Sequence, residues 1–271
     1  MMNKKHLFVA DIDGTLLKTN MPMNQDVINA AENYIRKGGK TSLCTGRAIA
    51  STRAIANLIH VNTPCILFGG SVIYDFKKNL VIWKQSLPDD VMYLLHSIYD
   101  RFPAVSIQAY ALNDIYVLRE NRRMRERGIL EECSEPICGF EKCVEPLLKI
   151  VLTCDNPELL NRLINEHMYF GSFEFAFASR CFVEITPKDV SKGKTLEILS
   201  ETCGIPLDRI FAAGNAMTDK SLLETAGISF ATIDAPDKVK LNCNYVIPTP
   251  EDSGMKIAYD IASTYRFNYS L

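Results

Sequence analysis

The sequence predicts an α/β chain: a doubly wound, Rossmann-like parallel-sheet core interrupted by an inserted α/β cap. Three observations predict it. Short apolar segments alternate with amphipathic stretches over residues 1–84, the pattern of βαβ units. Between 85 and 186 the texture changes to paired strands of alternating polarity, as in an antiparallel sheet with one wet face. From 187 to 271 the strand–helix alternation returns, so a single core is split by an insert large enough to carry its own hydrophobic interior.

The first core strand is His6-Leu7-Phe8-Val9-Ala10, short and apolar, running into Asp11-Ile12-Asp13-Gly14-Thr15. Gln25 to Arg36 reads as a helix with Val27, Ala31, Tyr34 and Ile35 on one face, closed by Gly38-Gly39. Thr41-Ser42-Leu43-Cys44 is a second strand ending at Thr45-Gly46-Arg47, and a helix follows from Ala48 to Leu58. Cys65-Ile66-Leu67-Phe68 is a third strand, ending at Gly69-Gly70-Ser71. In the insert, Pro88 to Arg101 is helical, and two strands flank Leu112-Asn113-Asp114. Leu148 to Thr153 is a strand and Pro157 to His167 a helix. Phe173 to Phe177 and Cys181 to Ile185 are the insert's last strands. The core resumes with a helix from Lys192 to Cys203 and the strand Ile210-Phe211-Ala212-Ala213. A helix from Thr218 to Ala226 and strands at Ser229–Ile233 and Tyr245–Ile247 complete it.

Bulk properties exclude several function classes. The chain of 271 residues carries 30 Lys and Arg against 32 Asp and Glu, a net charge of −2 that offers neither nucleic acid nor a membrane surface an electrostatic partner. The basic stretch Arg119, Arg122, Arg123, Arg125 and Arg127 is interleaved with Glu120 and Glu126 and reads as a solvated helix face. No apolar run approaches the roughly 18 residues that span a bilayer. The apolar segment after Lys4-Lys5 is stopped by Asp11, too early for a signal peptide. Nine cysteines, an odd number, lie mostly among apolar neighbours, Cys44, Cys65, Cys154, Cys181 and Cys203 among them. They read as buried, reduced thiols of a cytoplasmic protein. Cys133, Cys138 and Cys143 lack the paired spacing of zinc modules.

Four polar segments fall just beyond core strands or at the start of core helices. Taken singly, each is an ordinary turn or helix start. Together they fall at the carboxyl edge of one sheet, where doubly wound folds bind ligands. Asp11 and Asp13 are two carboxylates so close that a cation or shared proton must offset their repulsion. Thr45-Gly46-Arg47 offers a hydroxyl, N–H groups and a helix N-terminus suited to a phosphoryl oxygen. Lys192 opens a helix as a point charge for phosphate, with neighbouring Lys194 read as exposed. Gly214-Asn215-Ala216-Met217-Thr218-Asp219 brings oxygen ligands to a strand-to-helix turn.

This ordered set resembles the haloacid dehalogenase-like hydrolase superfamily, and over essentially the whole chain is similar to its Cof-type sugar-phosphate phosphatases. Asp11-Ile12-Asp13-Gly14-Thr15-Leu16-Leu17 matches the first motif, Thr45-Gly46-Arg47 the second, and Ile185-Thr186-Pro187 with Ser191-Lys192-Gly193 the return from the cap. Gly254 falls at the C-terminal acidic-glycine turn. Two departures stand out. Asn215 and Thr218 occupy the fourth motif where the family usually has Asp and Asn, and Gly69-Gly70 replaces its Asn-Gly.

The resemblance implies a magnesium-dependent phosphatase of small phosphorylated metabolites, sugar phosphates foremost, working through an aspartyl-phosphate as a monomer or weak homo-oligomer. It implies Asp11 as nucleophile, Asp13 as general acid and base, and Thr45 and Lys192 as further catalytic groups. Ile12, Gly46, Arg47, Lys192 and Thr218 would contact phosphate, and Asp11, Asp13, Asn215 and Asp219 would form the Mg2+ site, Asp219 from its outer side or by orienting Lys192. A phosphomutase shares that chemistry. The Asn215 and Thr218 departures also fit a phosphate-binding protein with weakened turnover.

Overall fold

A computed structural model describes residues 5–18, 21–126, 137–169 and 173–267. The described chain divides into two compact units: residues up to 46, 52–83 and from 191 onward form one, and 47–51 with 84–190 the other.

The first unit begins with β1 (Leu7–Ala10), α1 (Gln25–Arg36), β2 (Lys40–Leu43), α2 (Ile49–Leu58), β3 (Cys65–Leu67), β4 (Val72–Asp75) and β5 (Leu80–Lys84). The second unit holds α3 (Val91–Arg101), β6 (Ser106–Tyr110), β7 (Ile115–Arg119), α4 (Arg122–Glu126), β8 (Lys149–Thr153), α5 (Pro157–His167), β9 (Phe173–Ser179) and β10 (Phe182–Pro187). The chain then returns through α6 (Lys192–Cys203), β11 (Ile210–Gly214), α7 (Lys220–Thr225), β12 (Ile228–Thr232), α8 (Asp237–Lys240), β13 (Tyr245–Ile247) and α9 (Gly254–Thr264).

In the first unit a five-stranded sheet runs in the order β13-β12-β11-β1-β2, every pairing parallel. Such a sheet needs cover on both faces, which is why β1 and β11 are apolar and buried throughout. Leu7 and Val9 point to one face, among Leu196, Leu199 and Leu222 of α6 and α7. Phe8 points to the other, with ring centroids 4.5 Å from Tyr259 of α9 and 5.9 Å from Phe211. The chain leaves β1 to one side for β2 and returns on its other side as β11. The end of β1 is therefore a topological switch point.

β3 corrects the expectation of a third parallel strand. It touches the parallel sheet through a single bridge, Cys44 to Ile66, and otherwise pairs antiparallel with β4. The reason is local: Phe68, Gly69 and Gly70 all have positive φ and turn the chain straight back. The β4–β5 hairpin was not anticipated.

In the second unit five strands run β7-β6-β8-β10-β9, with antiparallel pairings. One face packs on α3 and α5 through Ile107, Ile150, Leu152, Val183 and Ile185. The opposite face is polar, as the alternation predicts, and Glu174 of β9 is exposed on it, but towards the middle of the sheet it is not wet. Ser106, Gln108, Lys149 and Thr153 are all buried. Their polar groups satisfy one another: Ser106 bonds Thr153, Tyr110 donates to Gln108 at 2.9 Å, and Lys149 donates to Glu184 at 3.0 Å.

The basic stretch also needs correction. Arg119 lies at the end of β7, donating to the carbonyls of Tyr99, Phe102 (2.8 Å) and Val105 (3.3 Å) and covering the Tyr99 ring. It thereby satisfies orphan carbonyls at the end of α3. Arg122 and Arg125 are exposed on α4, while Arg127 lies outside the described residues. Cys44, Cys65 and Cys154 are buried, but Cys181 and Cys203 are only partly so, and Cys133 lies outside the described residues. Ile35 is likewise half-buried, its place in the α1 core face taken by Ile28 and Ala30. No helix among the described residues is long and apolar enough to cross a membrane.

Candidate active site

β1 delivers Asp11 to the switch point. Its N–H still belongs to the sheet, donating to Ala213 O at 2.9 Å, so its carboxylate emerges where the ladder ends. The residue is nonetheless only 6% exposed. Gly14 at φ 84° then folds the chain over, with Gly14 N donating to Leu17 O at 2.8 Å. Ile12 is buried beneath this turn and Asp13 is partly exposed. A side chain at Gly14 would collide with Asn215, whose Nδ2 lies 2.2 Å from where a Cβ would stand. Thr15 Oγ1 donates to Asn215 Oδ1 at 3.2 Å, joining the first and fourth motifs. Thr15 was absent from the predicted site residues. Its hydroxyl, directly after Asp-Gly, was the available signal.

β2 ends one strand away. Cys44 N donates to Ala10 O at 2.9 Å, which places buried Thr45 at the same sheet edge as Asp11. Thr45 is held by its backbone, donating to Ile66 O and accepting from Gly69 N. Gly46 follows it, half-buried. Arg47 groups with the second unit, its guanidinium 3.5 Å from Ser51 O.

Lys192 is the first residue of α6, capped by Ser191, whose side chain accepts from Lys194 N. A lysine at a helix start is ordinarily exposed. This one is 4% exposed, whereas Lys194 points outward as expected. Two glycines account for its burial. Gly70 (φ 119°) lies so close to Ser191 that a Cβ would sit 2.9 Å from the Ser191 carbonyl, and Thr195 Oγ1 donates to Gly70 O at 2.7 Å. Gly193 lies against α7, where a Cβ would sit 2.4 Å from Ser221 O. Gly70, the glycine that the family's Asn-Gly pattern shares, thus seats the helix that carries Lys192.

The Lys192 ammonium donates to Asp11 Oδ1 at 2.7 Å and to Asp219 Oδ1 at 2.5 Å. Asp219 is fully buried, and its Oδ2 accepts from the N–H groups of Asn215 (3.0 Å) and Ala216 (2.8 Å). Both of its oxygens are therefore engaged within the protein. Thr218 is half-buried in the same turn. Burial, and next the Asp219 charge, push Asp11 up to about 7 despite Lys192. Burial pulls Lys192 down, but Asp11 and Asp219 outweigh it and hold its pKa well above the ordinary lysine value. The neighbouring Cys44 thiol is pushed up by burial and stays protonated.

The oxygens left for a cation are Asp11 Oδ2, which no described residue engages, the Asp13 backbone carbonyl and the Asn215 amide. They are hard donors, suited to a small hard dication. Gly254 sits apart, in a turn tied back to the segment after the first motif by the Lys18–Glu251 ion pair and by Asn24 Nδ2 donating to Ser253 Oγ at 2.6 Å.

A family model for haloacid dehalogenase-like hydrolases matches residues 8–258. The chain is 23% identical over 262 residues to the 5-amino-6-(5-phospho-D-ribitylamino)uracil phosphatase YitU of Bacillus subtilis, covering 94% of this chain and 96% of that one. Among solved structures, a haloacid dehalogenase-like hydrolase from Bacteroides thetaiotaomicron superposes with a TM-score of 0.82 at 21% identity, over 95% of this chain and 99% of that one. The subclass IIB sugar phosphatase BT4131 matches equally, with a TM-score of 0.82 at 21% identity over 94% and 98%. The motif order, the sheet edge that gathers those motifs and a family match spanning both units agree: the chain belongs to the haloacid dehalogenase-like hydrolases, as a phosphoric monoester hydrolase.

Proposed function

We propose that this phosphatase hydrolyses small phosphomonoesters, sugar phosphates foremost, through a covalent phosphate on Asp11 and with magnesium as cofactor. The observation that carries the reading is the Lys192 ammonium 2.7 Å from Asp11, both buried at the carboxyl edge of the parallel sheet. Asp11 stands where β1 leaves the sheet, with the Lys192 ammonium fixed against it, and as the first acid of the motif it serves as the nucleophile. Its carboxylate oxygen attacks phosphorus as the ester oxygen departs. Asp13 lies two residues on, partly exposed and outside the Lys192 contact. It gives a proton to the leaving oxygen, then takes one from the water that opens the acyl phosphate.

Thr45, the Gly46 N–H and Lys192 bind the non-reacting phosphoryl oxygens as charge redistributes among them. Asp219 is a positioning residue: it holds Lys192 and the 214–216 turn. Asp11 Oδ2, the Asp13 carbonyl and the Asn215 amide would hold magnesium, which supplies charge neutralisation between carboxylate and phosphoryl group. The sugar-phosphate class is supported by the family resemblance, by the sugar phosphatase BT4131 and by YitU, a phosphatase of a phosphorylated ribityl compound. A cytoplasmic setting is supported by the eight described cysteines, all free thiols.

Hydrolysis of a generic aryl phosphate, with magnesium and after chelation, tests the reading. Magnesium-dependent turnover that vanishes in Asp11→Asn is the expected result. Phosphate binding without turnover would instead make this a binding protein, the reading that Asn215 and Thr218 favour.

A further inference from the structure

Before substrate arrives, the site offers a cation little negative charge. Asp219 gives one oxygen to Lys192 and the other to two backbone N–H groups. Asp11 gives Oδ1 to the same ammonium, which leaves its Oδ2 as the one oxygen of these two carboxylates that Lys192 and the turn N–H groups do not take up. The residue facing the first-motif turn from the 214–216 segment is an amide, Asn215, and its Oδ1 already accepts from Thr15. Lys192 adds a fixed positive charge 2.7 Å from Asp11 that repels an incoming dication. Affinity of hard dications for oxygen sites follows the charge count of their ligands.

A phosphoryl group changes both terms. It brings anionic oxygen to the cation and at the same time offsets the Lys192 charge. We propose that the divalent cation and phosphate bind this site as an obligatory pair: the free protein holds magnesium weakly, and phosphate supplies the anionic ligand that Asn215 does not. The inference rests on the metal-assisted reading above and deepens it by stating the binding order that reading follows. By linkage the effect is reciprocal, so magnesium tightens phosphate by the same factor.

Calorimetric titration of magnesium chloride into the full chain, with and without saturating inorganic phosphate, tests the pairing. The wild-type magnesium dissociation constant is expected to fall at least about tenfold when phosphate is present, within the range of ordinary site-to-site coupling. Asn215→Asp, which keeps the shape and the Thr15 hydrogen bond, should tighten magnesium in the absence of phosphate and shrink the coupling. Should that variant fail to fold, the wild-type pair of titrations remains decisive. Asp11→Asn should abolish the magnesium heat. Equal wild-type affinity with and without phosphate, still lost in Asp11→Asn, overturns the pairing while leaving the metal site standing. Magnesium binding under neither condition, or unchanged in Asp11→Asn, overturns both.

Discussion

Fully buried Asp219 binds the buried Lys192 Nζ at 2.5 Å with one oxygen and two backbone N–H groups of a half-buried turn with the other. The same ammonium reaches Asp11 at 2.7 Å. One lysine therefore separates two buried carboxylates. Removing the lysine leaves two buried carboxylates uncompensated, whereas neutralising Asp11 leaves a matched Lys192–Asp219 pair.

Lys192→Met places Asp11 and Asp219 together with no cation between them. An uncompensated buried charge costs about 3–5 kcal/mol. The variant should melt well below wild type at pH 8 and recover much of the loss at pH 5, where a proton replaces the ammonium. Turnover should be lost at both pH values. Thermal melts showing an equal deficit at the two pH values would contradict this charge account.

Asp11→Asn should abolish turnover, because an amide does not attack phosphorus as a carboxylate does. It should also alter the dependence of stability on pH. The folded state holds Asp11 at about 7 against an ordinary 3.8, so between those values the native chain keeps a proton that the unfolded chain has released. Stability contributed by this group therefore falls as pH rises from about 4 to 7. In metal-free denaturant titrations, the Asn variant should lack that decline and gain on wild type by on the order of 3 kcal/mol across the window. Magnesium favours the carboxylate and should lessen the wild-type decline.

Asp13→Ala removes the proposed proton donor and acceptor, and should slow turnover roughly 10²–10⁴-fold on alkyl phosphates. Aryl phosphates, whose leaving groups need little protonation, should suffer less in the departure step. Pre-steady-state release of the alcohol or phenol measures that step directly. Equal slowing of release for both ester types would exclude the acid role.

Gly70→Ala tests whether the Gly-Gly turn seats Lys192. The added methyl meets the Ser191 backbone at 2.9 Å, and φ is already 119°, so the start of α6 must shift. Both turnover and stability should fall. Gly204, also left-handed at φ 62°, has nothing within 4 Å of its Cβ position. Gly204→Ala should lose only about 1–2 kcal/mol of backbone preference and keep full kcat. Matched melts and kinetics of the two variants separate a seating effect from simple backbone strain.

Local pattern was enough for the strand–acid–turn at Leu7 to Thr15, the α1 and α5 helices, the return to the core at Ser191-Lys192-Gly193, and the outward Lys194. Each depends on residues within a few positions: an apolar run ended by a carboxylate, an Asn-Pro helix start, a serine cap. The sequence by itself therefore determined the fold class and which segments meet at the sheet edge. The reversal from β3 into β4 was local but not legible, because it needs Phe68 itself at positive φ beside Gly69 and Gly70. The rest of what the sequence left open needed partners distant in the chain. The buried polar groups in the middle of the second sheet are satisfied across strands, Lys149 by Glu184 and Ser106 by Thr153. Arg119 closes α3 from 17 residues away. Only the tertiary structure shows that Asp219 holds the Lys192 ammonium, because a carboxylate's contacts depend on which donors reach it. The two turn N–H groups are local to Asp219, but the ammonium 27 residues upstream is brought to it only by the packing of α6 on α7.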